Sequence, residues 1–139
     1  MNQDVKNVLI EAENMFSLNA GMSPIMFMRL KENPELVIEF VNLNNEESTR
    51  LSCSKYKNMI EDGILEEYIF MSDIQNKINE WVLVVIKANI KEELQYLNNV
   101  KYENGKYKFS KWTFYDGSNV KARKNSFNNL FGQVYSKYN

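Results

Sequence analysis

Glu80-Trp81-Val82-Leu83-Val84-Val85-Ile86-Lys87-Ala88-Asn89-Ile90 is the stretch that decides the fold. Its run from Trp81 to Ile86 is apolar at every position, which fits a strand covered on both faces and therefore central in a sheet. The run is far too short to span a membrane.

Upstream of it, Val5, Val8, Leu9, Ala12, Met15 and Phe16 recur at helical spacing, so residues 4–18 read as an amphipathic helix ending near Asn19-Ala20-Gly21. Beyond Ser23-Pro24, residues 25–30 and 36–43 read as strands of an antiparallel hairpin joined through Lys31-Glu32-Asn33-Pro34-Glu35. Residues 42–49 read as a polar loop. Ser52 or Ser54 then caps a short helix with Tyr56, Met59 and Ile60 facing inward and Asp62-Gly63 as its stop, and residues 68–71 form a compact strand.

Downstream, residues 91–98 have the composition of a short helix. Asn104-Gly105 supplies the two positive φ angles of a tight hairpin turn, placing Tyr102 opposite Tyr107. A strand over residues 106–116 alternates Lys106 and Lys108 with Tyr107 and Phe109, continues through Trp112-Thr113-Phe114-Tyr115 and ends at the Asp116-Gly117 turn. A last helix from about Ser126 carries Phe127, Leu130, Phe131, Val134, Tyr135 and Tyr138 as an apolar stripe. Gly132 falls inside it, where a close approach by another group explains a glycine, more simply within the monomer than across a dimer interface.

The expected order is α-β-β-α-β-β-(α)-β-α, a single α+β domain over residues 1–139 with a mostly antiparallel five-stranded sheet flanked by N-terminal, middle and C-terminal helices. This element order resembles that of profilin-like and roadblock-like domains, a likeness that implies an antiparallel sheet between helices and carries no functional residue with it.

Chemistry is narrowed mainly by what the chain lacks. It has no histidine, which removes the commonest general base and metal ligand together. Its one cysteine, Cys53, allows no internal disulfide and has no histidine to activate it, and no serine sits in a Gly-x-Ser-x-Gly elbow. The five glycines stand singly, so there is no phosphate-binding loop. Valine at position 85 leaves Lys87 without the acid that a metal-dependent nuclease would place two residues before it. The acidic pairs Glu46/Glu47, Glu61/Asp62, Glu66/Glu67 and Glu92/Glu93 read as solvated surface, and Asp73 with Asn76, Asn79 and Glu80 lacks the spacing of a calcium loop. No catalytic residue, metal or cofactor is expected. The single cysteine points to a reducing compartment or to indifference to redox, and with the polar N-terminus, which lacks a signal-peptide pattern, the expected location is the cytoplasm of a bacterial or phage-infected cell.

The overall charge of −1 conceals an asymmetry: residues 100–139 hold eight Lys/Arg against two Asp/Glu and ten of the eighteen aromatics, whereas residues 1–99 hold nine basic against sixteen acidic. Alternation turns the rings of residues 107 and 109 inward and the lysines outward. Lys121-Ala122-Arg123-Lys124 calls for an anion, or for neighbouring acids such as Glu66 and Glu67. The expectation is a non-enzymatic binding or inhibitor module that meets an acidic protein surface through Lys108, Lys111, Trp112, Lys121, Arg123 and Lys124. A second expectation is a small-molecule cup of Trp81, Trp112, Phe114 and Tyr115 for an anionic group such as a nucleotide, and a third is single-stranded nucleic-acid binding. The two-sided apolar strand and the final helix offer surface for a homodimer. Small Asn- and Lys-rich domains of this kind resemble accessory proteins of phages and other mobile elements.

Overall fold

The structure, a computed structural model, describes residues 3–116 and 127–135. Along the chain these form α1 (Gln3–Asn19), β1 (Ile25–Leu30), β2 (Leu36–Phe40), α2 (Glu46–Glu61), β3 (Leu65–Lys77), β4 (Glu80–Asn89), β5 (Glu93–Glu103), β6 (Lys106–Phe109), β7 (Thr113–Asp116) and α3 (Leu130–Tyr135). The strands make one antiparallel sheet of order β2-β1-β3-β4-β5-β6, with β7 also paired to β5.

The two-sided strand β4 lies inside the sheet, and each of its faces meets a separate core. Leu83 and Val85 pack with Val5, Val8, Leu9, Ala12 and Phe16 of α1. Val82, Val84 and Ile86 pack on the opposite face with Tyr56 and Ile60 of α2 and with Phe127, Leu130 and Val134 around α3. Period-two alternation along a single strand thus divides α1 from α2 and α3. No described helix is long and apolar enough to cross a membrane.

The sheet has seven strands where five are expected, and each difference has a local cause. Residues 93–103 form a strand, not a helix, because Tyr96 and Leu97 pair with Val85 and Val84 of the central strand. Asn89 closes that hairpin: its Oδ1 accepts from the N–H groups of Lys91 at 2.8 Å and Glu92 at 3.0 Å. Burial against β4 overrides a weak helical composition. The compact strand expected at residues 68–71 extends over the whole of β3 as the partner of β4. α2 begins earlier than Ser52 or Ser54, since Asn45 is its N-cap and accepts from Ser48 N–H at 2.8 Å.

The strand expected over residues 106–116 divides into β6 and β7 at a corner held by Asn98, a fully buried residue. Asn98 Nδ2 donates to Ser110 O at 2.8 Å, and its Oδ1 accepts from Ser110 N–H at 3.0 Å. Between β5 and β6 the expected tight turn is present, with φ of 52° at Asn104 and 75° at Gly105, and the rings of Tyr102 and Tyr107 lie 4.9 Å apart. At Gly132 a Cβ would meet the carboxamide of Asn129, an exposed side chain of the same helix end.

Candidate functional site

Apolar surface left uncovered points to the opposite end of the sheet from the basic segment. Among the described residues β2 is the terminal strand, paired only to β1 in the register Ile25↔Phe40 through Arg29↔Leu36. Its reverse face is occupied by α2: Lys55 Nζ and Tyr56 Oη donate to Glu39 Oε1 at 2.7 and 2.5 Å. Burial pushes the Glu39 carboxyl up, but the hydrogen bonds from Lys55 and Tyr56 outweigh it and hold it below its ordinary range. The acid is folded back onto its own helix.

The other face of β2 has less cover among the described residues, because α1 packs mainly over β3 and β4 and borders β2 at the hollow beside Phe40. Ile38 and Phe40 are therefore left 61% and 73% exposed. Beside Phe40, a hollow of about 470 Å³ is lined by Met15, Asn19, Gly21, Met22 and Ser23. The turn after α1 shapes it through left-handed Ala20, at φ 56°, and through Met22 N–H, which donates to Asp73 Oδ2 at 3.2 Å. Burial raises the Asp73 carboxyl above its ordinary range despite that bond.

Backbone parity completes the site. Val41 N–H donates to Pro24 O at 2.9 Å, so the hydrogen-bonded pairs with β1 fall on residues 37, 39 and 41. The N–H and C=O groups of Leu36, Ile38 and Phe40 consequently point away from the sheet. No partner among the described residues takes them. Three outward backbone pairs carried by three apolar side chains on one face constitute a template for another strand.

The sequence-derived candidates lie elsewhere. Lys108 is half-exposed and its Nζ lies 3.3 Å from Glu103 Oε2, while Lys101 lies 3.6 Å from Glu80. Lys106 and Lys111 are exposed and make no ion pair among the described residues. Trp112 is half-buried, and its Nε1 donates to Glu13 Oε2 of α1 at 3.2 Å, tying the β6–β7 corner to the helix. Lys121, Arg123 and Lys124 lie outside the described residues. Of the acids expected to balance them, Glu67 pairs with Lys87 at 3.2 Å and with Arg29 at 3.9 Å.

The rings expected to form a cup occupy both faces of the sheet. Trp81 and Trp112 pack in the α1 layer and Phe114 lies against Tyr96 there, whereas Tyr115 packs into the opposite core. Trp81 meets Phe16 and Tyr107 edge-on, as a core ring does. Asp73, Asn79 and Glu80 are strung along the β3–β4 hairpin, with Asn79 in its turn at φ 61°. No cluster of three or more His, Cys, Asp or Glu able to hold a metal ion lies among the described residues. Burial pushes the Cys53 thiol up, with Lys57 acting weakly against it.

Sequence reasoning missed Leu36, Ile38 and Phe40 as a surface. Their signal was apolar residues at alternate positions beside a single charge, but nothing in the sequence marks which strand ends the sheet. No protein-family model, curated protein or solved structure matches the chain.

Proposed function

We propose that this chain is a small non-catalytic binding module that docks a protein by adding a strand to its β2 edge. The observation carrying this reading is the coincidence, on one strand, of outward backbone groups at Leu36, Ile38 and Phe40 that no described residue takes with side chains as exposed as Ile38 and Phe40. Main-chain hydrogen bonds would supply affinity, and the hollow beside Phe40 a pocket for one partner side chain. Panning a displayed-peptide library against the purified protein tests it. The expected hits are extended peptides with alternating apolar residues that slow amide exchange at Leu36, Ile38 and Phe40. Hits that protect only other strands would contradict it.

A second reading, docking of an acidic protein surface on the basic side, is favoured by Lys106 and Lys111, which are exposed and unpaired among the described residues. Charge reversal at Lys106 and Lys111, and separately at Lys121, Arg123 and Lys124, should then weaken binding of an acidic partner and steepen no other property. Unchanged binding would remove this reading.

A further inference from the structure

Resting on the strand-addition reading above, we infer that the occupant of the β2 edge is a second copy of this chain, paired antiparallel about a two-fold axis through Ile38. An axis perpendicular to the sheet keeps each residue on its own face, so a strand can pair with its copy only when a residue lies opposite itself. For β2 the candidates are Val37, Ile38 and Glu39.

Charge and backbone chemistry separate the three. Centring on Glu39 puts that carboxylate against its own copy, a like-charge pair directly across the ladder. Centring on Val37 sets Glu35 against Glu39, and places Pro34, which has no N–H, opposite the outward groups of Phe40. Centring on Ile38 avoids both faults. Ile38 then lies opposite its copy and Leu36 opposite Phe40, and these are the residues whose N–H and C=O groups point outward. Each pair exchanges both of its hydrogen bonds. On the α1 side Leu36, Ile38 and Phe40 of the two copies make a continuous apolar strip with aliphatic–aromatic pairs across the ladder. On the other side Val37 faces Glu39, whose carboxylate is already held by Lys55 and Tyr56 of its own chain.

The far edge of the same sheet favours closure at two copies. A β2 edge laid on a β6 edge would be heterologous and could propagate as a fibre. β6 is short, is broken at Ser110, and carries Lys106 and Lys108, the features that discourage edge-to-edge pairing. Pairing of β2 with itself leaves outside the lysine-bearing β6 and, beside it on β5, the four-residue β7, which carries no lysine.

Sedimentation equilibrium over a wide concentration range tests the inference. The full chain should show a reversible monomer–dimer equilibrium with no larger species. Ile38→Lys and Ile38→Glu each place like charges at the two-fold and should weaken self-association by at least about tenfold. Mixing the two variants should restore a dimer, because position 38 faces itself. Both substitutions fall on an exposed side chain, and an unchanged circular dichroism spectrum and melting temperature would confirm that each variant is folded. A dimer that survives either substitution, or a mixture that stays monomeric, overturns the inference. A chain that is monomeric at every concentration while selected peptides still protect Leu36, Ile38 and Phe40 overturns the second copy and leaves the docking edge standing. A chain that is monomeric and whose β2 amides no peptide protects overturns both.

Discussion

The two edges of this sheet are built in opposite ways. At one end β2 is a regular strand whose outward groups are carried by Leu36, Ile38 and Phe40, and whose only charge, Glu39, is bound by α2. At the other, β6 and β7 are four residues each, separated by a corner that buried Asn98 and the Trp112–Glu13 bond hold in place, with Lys106 and Lys108 pointing to water. An edge protected by breaks and lysines is what a monomeric sheet needs. The difference teaches that the basic, aromatic end of the chain is the guarded edge and that the conspicuous surface is the quiet apolar one.

The largest expected effect comes from dismantling the guard. Asn98→Leu takes from Ser110 C=O its Asn98 donor and from Ser110 N–H one of two acceptors, the other being Asn99 O at 2.9 Å, and should lower stability by about 1–3 kcal/mol, read as a lower melting temperature. If the guard is what limits pairing, this variant should also form species larger than the wild-type chain does. Next is the apolar edge itself. Phe40→Lys should weaken binding of β2-selected peptides about tenfold while changing stability by no more than about 0.5 kcal/mol, as measured by titration and thermal unfolding. An equal loss in Lys106→Glu would erase the distinction between the edges.

A smaller effect is expected from the lysines. Lys106→Val with Lys108→Val removes one exposed ion pair, so stability should change by less than about 1 kcal/mol, but light scattering at high concentration should reveal species larger than the dimer expected of the wild-type chain.

The smallest effect is in pH dependence, where two acids act in opposite senses. Glu39, held below its ordinary value of 4.5 once its bonds outweigh burial, contributes stability that is present above that value and lost as pH falls through its folded pKa. Glu93, beside the β7 end of the sheet, is raised by burial and by Asp116 even though Asn129 N–H donates to it at 2.6 Å. Its destabilising charge is present at neutral pH and relieved as pH falls through its raised pKa toward 4.5. Melting temperature against pH should therefore fall less steeply in acid for Glu39→Gln, and more steeply for Glu93→Gln, than for the wild-type chain.

Much of the fold was legible because it is written locally. The central strand, α1, the β1–β2 hairpin and the Asn104-Gly105 turn each follow from periodicity or from a residue tolerant of positive φ. Residues 93–98 were not legible, because a mildly helical composition is overruled by pairing with β4, a contact absent from the local sequence. The start of α2 was misplaced because Asn, Ser and Thr compete as caps, and only the three-dimensional bond from Ser48 to Asn45 chooses among them.

The aromatics of the C-terminal segment divided as alternation implies. Phe127 and Phe131 stack on Phe70 and Tyr68 in the core, and Tyr107 and Phe109 surround Phe16. The exposed β2 edge stayed hidden because edge status belongs to the order of strands in the sheet. Leu36-Val37-Ile38-Glu39-Phe40 reads as an ordinary half-buried strand until β1 is seen to pair with β3 on its other side, leaving β2 last.

Amide hydrogen exchange resolved residue by residue, in dilute and in concentrated protein, tests the central claim most directly. In dilute protein the amides of Val37, Glu39 and Val41 should exchange slowly and those of Leu36, Ile38 and Phe40 fast, and in concentrated protein the second set alone should become protected. Protection that appears instead at Tyr107 and Phe109, or an absence of alternation along β2, would contradict it.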